Sequence, residues 1–179
     1  MKPPPPAARP TPAQTIGPFY GHALPFPGGA AMAPPGHPDT VTLHGHVYDG
    51  GGEPVPDALL EFWQPAPDAS RRGRPGSLGR DGIAFTGFGR VPTDAAGHWT
   101  LRTLPPGGVP YLSVAVFARG LRHHLFTRVY LTPGPDHLLD SLEPELRRTL
   151  LARPDPAARG HRFDIHLRGE KETVFLEFR

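Results

Sequence analysis

At 179 residues the chain has room for one domain with a sizeable core and too little for two ordinary ones. A formal net charge of +2, from 19 Lys+Arg against 17 Asp+Glu, leaves no basic stripe dense enough for nucleic acid. The absence of cysteine excludes a disulfide scaffold, thiolate zinc, iron–sulfur clusters and cysteine nucleophiles. Pro and Gly, 26 and 22 residues, make up roughly a quarter of the chain, which suits many short strands joined by turns when interleaved with periodic apolar runs.

The N-terminus, Met1-Lys2 followed by Pro3 to Pro6, lacks the apolar core of a signal peptide, and no run approaches the ~18 apolar residues of a membrane span. A soluble, cytoplasmic protein is expected. Residues 1–40 show neither helical nor strand periodicity and read as an extended arm, ordered only by lying against something else. Within the arm, Thr15-Ile16-Gly17-Pro18-Phe19-Tyr20 sets a turn-forming Gly-Pro before two aromatics. From residue 41 the period becomes two. Val41, Leu43, Gly45 and Val47 alternate with Thr42, His44, His46 and Tyr48 before a turn at 49–52. Residues 58–64 (ALLEFWQ) read as a buried strand, and 65–83 as a long loop carrying Arg71, Arg72 and Arg74 on a solvated surface. Further strands are predicted over 85–90, 98–104, 111–118 and 126–131, with a turn at 94–97. Residues 144–153 (PELRRTLLAR) carry Leu146, Leu150 and Leu151 on one helical face. Strands over 162–167 and 173–178 close the chain. The whole reads as an all-β sandwich of about seven to eight strands over 41–179, with an extended N-terminal arm over 1–40 and one short helix.

Few residue patterns announce chemistry. His44-x-His46 has the spacing that puts two rings on one strand face, opposite the apolar residues, but no third ligand candidate is near in sequence. A solvent-facing or interface role is the plainer reading. His123 and His124 point to opposite faces of a strand and cannot share one ion. There is no nucleophile-elbow serine, no zinc-protease helix and no phosphate loop. The residues alone stop at a soluble β-sandwich with an aromatic, Pro-rich arm.

An ordered set of segments nonetheless resembles the intradiol ring-cleavage dioxygenases, and within them the protocatechuate 3,4-dioxygenases. The set runs from residues 11–20 through Leu43-x-Gly45-x-Val47-Tyr48-Asp49-Gly50, Leu60-Glu61-Phe62-Trp63-Gln64 and Gly87-Phe88-Gly89-Arg90 with Trp99 beyond. It continues with Val116-Phe117-Ala118-Arg119-Gly120, Thr127-Arg128-Val129-Tyr130 and the ending from His161 to Phe175. The resemblance covers nearly everything from residue 11 onward and implies a β-sandwich with an N-terminal arm.

In that family Fe(III) is held by two tyrosinates and two histidines, a donor set suited to a fairly hard cation. This sequence departs at each ligand position. Residues 65–83 contain no Tyr and no His, residues 105–109 contain no Tyr, and Tyr111-Leu112-Ser113 stands where the histidine pair would be. The 4 Tyr of the chain, at 20, 48, 111 and 130, all fall elsewhere in the pattern. The resemblance therefore implies a non-catalytic alpha subunit with no catalytic or metal-binding residue of its own, and a partner beta subunit that holds the Fe(III). A small aromatic substrate and O2 would react at the junction between them. It implies that Thr15, Gly17, Pro18 and Phe19 line the substrate pocket and that Arg119 meets the substrate. The Gly-Pro turn would give a rigid wall and the guanidinium a partner for a carboxylate. The alternative is a non-enzymatic β-sandwich binding or assembly module, since this architecture hosts many functions.

Overall fold

The computed structural model describes residues 17, 19–71 and 78–178. After a four-residue helix α1 (Tyr20–Ala23), strands β1 (Val41–Tyr48), β2 (Leu59–Trp63), β3 (Phe88–Pro92), β4 (His98–Thr103), β5 (Tyr111–Phe117) and β6 (Leu125–Tyr130) follow in order. Two short helices, α2 (His137–Ser141) and α3 (Pro144–Arg148), precede β7 (Arg153–Asp155), β8 (Gly160–Arg162) and β9 (Ile165–His166). They build two facing sheets, one ordered β4-β1-β8-β7 with β9 also on β1, the other β3-β2-β5-β6. The predicted all-β sandwich is thus the observed architecture.

Period-two alternation decides what lies between the sheets. Leu43, Val47, Trp99 and Leu101 of one sheet meet Leu60, Phe62, Leu112, Val114, Val116 and Val129 of the other. The Phe62 and Trp99 rings stand 5.1 Å apart at the centre of this layer. Leu43, Val47, Leu60 and Phe62 have no solvent exposure, and each such buried side chain contributes about 1.5–3 kcal/mol. Buried Gln64 and Thr103 bond to each other, whereas the buried Trp99 indole N–H has no partner among the described residues. Gln64 donates to Leu104 O at 2.8 Å, and its side-chain oxygen accepts from Thr103 Oγ1 at 2.7 Å.

Part of the arm belongs to this packing. Met32 N–H donates to Arg102 O at 2.8 Å and Arg102 N–H to Ala30 O at 2.8 Å, so residues 30–32 extend the β4 edge and Met32 enters the core. Arg80 fastens the same stretch by donating to Ala31 O and Phe88 O at 3.1 and 2.6 Å. Arg72 and Arg74 of the long loop lie outside the described residues.

The C-terminal third departs from the periodicity. The helix predicted over 144–153 stops at Arg148, because Tyr130 N–H takes Leu150 O and Ala152 N–H takes Tyr130 O, both at 2.9 Å. That pairing draws residues 150–152 against the β6 edge, buries Leu150 and leaves Leu146 exposed. α2 was not legible in the periodicity; the Asp136 side chain caps it, accepting from Leu138 and Leu139 N–H. The strand predicted over 173–178 is reduced to one bridge, Phe126 with Leu176. Threonine hydroxyls take its backbone groups instead, Thr127 donating to Val174 O and Thr149 accepting Val174 N–H.

The strand predicted over 162–167 is likewise broken, into β8 and β9, where the chain crosses beneath Gly45. A Cβ on Gly45 would collide with the Phe163 carbonyl. Gly45→Ala should therefore destabilise the chain by about 2 kcal/mol or more, read as a lowered denaturation midpoint, although alanine is the better strand residue.

Candidate functional site

The turn ending β5 closes with Leu121 N–H on Ala118 O at 3.2 Å, and Gly120 completes it at φ +90°, a conformation glycine adopts without steric cost. It releases Arg119 from the sheet. The Arg119 side chain is 64% exposed and its Nε lies 2.8 Å from Asp57 Oδ2. Asp57 stands just ahead of β2, the strand that pairs with β5. The backbone carbonyl of the same Asp57 accepts the Tyr20 hydroxyl at 2.9 Å. Tyr20 is buried, and its phenol is pushed up to about 12, first by burial and then by the Asp57 carboxylate, with Arg119 pulling the other way.

Asp57 thus joins the N-terminal arm to Arg119. Phe19 precedes the Tyr20 anchor and is 79% exposed, and Gly17 is exposed with open space where a Cβ would be. Thr15 and Pro18 lie outside the described residues. The structure therefore sets Gly17 and Phe19 on exposed chain leading into an anchor that also holds Arg119. Tyr20 and Asp57 were missed by sequence reasoning. The aromatic pair hinted at the first; nothing near Asp57 in sequence points across to Arg119, and only the β2–β5 register brings it there.

A second cluster surrounds the segment Tyr111–Ser113, where the resemblance puts the histidine pair. The β5–β6 register sets Tyr111 opposite Tyr130 and Ser113 opposite Arg128. The Arg128 guanidinium carbon stands 3.9 Å from the Tyr111 ring centroid, and its Nη1 donates to both Asp136 oxygens at 3.3 Å. Tyr130 donates its hydroxyl to Asp136 Oδ1 at 2.9 Å. Burial pushes the Tyr130 phenol up to about 12, with a hydrogen bond from Arg128 opposing and one to Asp136 adding. Tyr and His side chains bind a ferric ion as anionic phenolates and through free imidazole lone pairs. A guanidinium on the phenol ring and a phenol that holds its proton do not fit it. Among the described residues, no group of three or more His, Cys, Asp or Glu is arranged to hold a metal ion.

His44 and His46 share the outer face of β1 with His98 of β4, at ring separations of 5.9 and 5.0 Å. His44 Nε2 lies 3.2 Å from Asp155 and His46 Nδ1 3.8 Å from Asp164. Burial lowers the His98 pKa, and the neighbouring His46 adds to the shift. His124 stacks on Phe117 and meets Phe126 edge-on.

Comparison with known proteins places the chain in a family. A family model described as dioxygenase matches residues 16–116. The protocatechuate 3,4-dioxygenase alpha chain of Burkholderia cepacia is 37% identical over 93% of this chain and 96% of its own length. The protocatechuate 3,4-dioxygenase beta chain of the same organism is 28% identical over 75% of this chain and 67% of its own. The dioxygenase domain of a dioxygenase–carbohydrate-binding fusion from Streptomyces sp. SirexAA-E superposes with a TM-score of 0.55 at 27% identity, covering 81% of this chain and 88% of that one. The chain belongs to the intradiol dioxygenase family. Within the family its likeness is to the protocatechuate 3,4-dioxygenase alpha chains, over nearly the full length of both.

Tyr20 and Tyr130 give a pH signature. Folding holds both phenolic protons more tightly than the ordinary value near 10. Their contribution is intact below about pH 10 and is lost as pH climbs through about 12. Chemical denaturation across that range should show the fall, and Tyr20→Phe should flatten it.

Proposed function

We propose that this chain is the non-catalytic alpha subunit of a protocatechuate 3,4-dioxygenase. In this reading it works in complex with a beta subunit that holds Fe(III), and the complex converts protocatechuate and O2 to 3-carboxy-cis,cis-muconate. Ring-opening chemistry comes from the partner's iron. This chain binds, orients and encloses. The observation that carries the reading is Arg128 stacked on Tyr111, in a chain otherwise similar to the alpha chains from end to end. Tyr111-Leu112-Ser113 takes the place of the family's histidine pair, and Arg128 on the neighbouring strand sets a fixed cation over the Tyr111 ring, which supports leaving the metal to a second polypeptide.

Arg119 and the arm are this chain's part of the pocket. Protocatechuate carries a carboxylate, and a guanidinium pairs with it by charge-assisted hydrogen bonds. The Asp57 pair engages Arg119 through Nε, and the exposed remainder of the guanidinium faces outward for such a partner. Asp57 fixes the direction from which Arg119 approaches, and Tyr20 fixes the arm beside it. The family resemblance assigns the wall to Thr15, Gly17, Pro18 and Phe19, of which Gly17 and Phe19 are described and exposed.

An ion pair this exposed contributes only about 0–1 kcal/mol to stability. Arg119→Ala should therefore leave the denaturation midpoint nearly unchanged. In the assembled enzyme it should raise KM for protocatechuate about tenfold or more, with kcat little altered. An unchanged KM removes Arg119 from the pocket. Metal analysis tests the division of labour. The complex should carry iron and the tyrosinate-to-iron colour, and this chain purified alone should carry neither. Stoichiometric iron on the isolated chain overturns the reading.

A further inference from the structure

Away from Arg119 and the arm, a concave site of about 340 Å³ lies between the end of α3 and the C-terminal segment. Four fixed cations line it, Arg148, Arg153, Arg162 and Lys171, against a single carboxylate, Asp164. Asp164 is already engaged. It accepts from Arg162 Nε at 2.9 Å and from His46 N–H at 3.0 Å, and Arg153 Nη2 stands 3.9 Å away. Arg148 and Lys171 have no ion pair among the described residues. The site therefore holds about three positive charges more than its own carboxylate offsets, in a volume typical of small-molecule pockets.

We propose that this cleft binds a small polycarboxylate anion. Phe163 and half-buried Leu151 give part of the lining an apolar character suited to a carbon skeleton, and the arginine forks of the same lining suit carboxylates, which they grip with two parallel bonds. A lone phosphate would leave most of the volume and the apolar lining unused. Nucleic acid prefers an extended basic stripe to a compact cleft. A neighbouring cleft of about 690 Å³ shares Arg153, Arg162 and Lys171 with it and adds Arg168, but also the Asp49 and Glu170 carboxylates, so the anion is expected to stay on the smaller site. On the reading of the preceding subsection, the ring-opened product is an acid of this class; only that source of the ligand rests on it.

The test is calorimetric titration of propane-1,2,3-tricarboxylate into the full-length chain at pH 7 and low salt. Saturable one-site binding is expected, weakening as salt rises. Arg148→Gln combined with Lys171→Gln, which breaks no ion pair among the described residues, should weaken it about tenfold or more. Phosphate and benzoate should bind more weakly than the tricarboxylate. Absence of saturable heat, undiminished binding by the double variant, or equal binding of phosphate each overturns the proposal. The probe has no ring to open, so its binding and the activity of the complex with protocatechuate succeed or fail separately.

Discussion

The contact on which the sandwich depends is the crossing at Gly45. There the C-terminal segment runs so close beneath β1 that only a hydrogen fits between Cα and the Phe163 carbonyl. Phe163 N–H reaches His44 O at 2.7 Å, and Asp164 reaches back to His46 N–H at 3.0 Å. This close approach lets β8 and β9 pair parallel to β1, so that one sheet draws on both ends of the domain. It also fixes Asp164, and through Asp164 it fixes Arg162. The shape of the cationic cleft thus follows from one residue without a side chain. Backbone-to-backbone crowding of this kind leaves no rotamer to relax, so it dictates topology more rigidly than side-chain packing does.

On the opposite sheet, cross-strand register plays the same part with charged and aromatic groups. Arg128, Tyr111, Tyr130 and Asp136 form a closed set in which the cation is covered by a ring and balanced by a carboxylate that also caps α2. Such a cluster gives the β5–β6 edge its own internal counter-charges. On the proposed division of labour, a chain that holds no iron can let this region serve the fold. Asp57 performs a comparable double duty with a different purpose. Its carbonyl anchors the arm and its carboxylate steers Arg119, so one short segment ahead of β2 couples two parts of the proposed pocket wall. Coupling through a single residue keeps arm and guanidinium in fixed relation while leaving both accessible.

The residue pattern is enough to specify the sandwich. Alternation in β1, β2, β4 and β5 set which side chains meet between the sheets, because a strand's period of two leaves no other face for them. The family resemblance, not any periodicity, is what singles out Arg119 and the arm. Tertiary structure decided what depends on distant partners. Leu150 looked like a helix residue until Tyr130 captured its carbonyl, and the residues after 172 looked like a strand until threonine hydroxyls took their backbone groups. Asp57 and Arg119 are far apart in the chain, as are Arg148 and Lys171, and no local pattern encodes their meeting. Short-range periodicity records how each segment buries its own apolar surface; which charges become neighbours is fixed only when the sheets close.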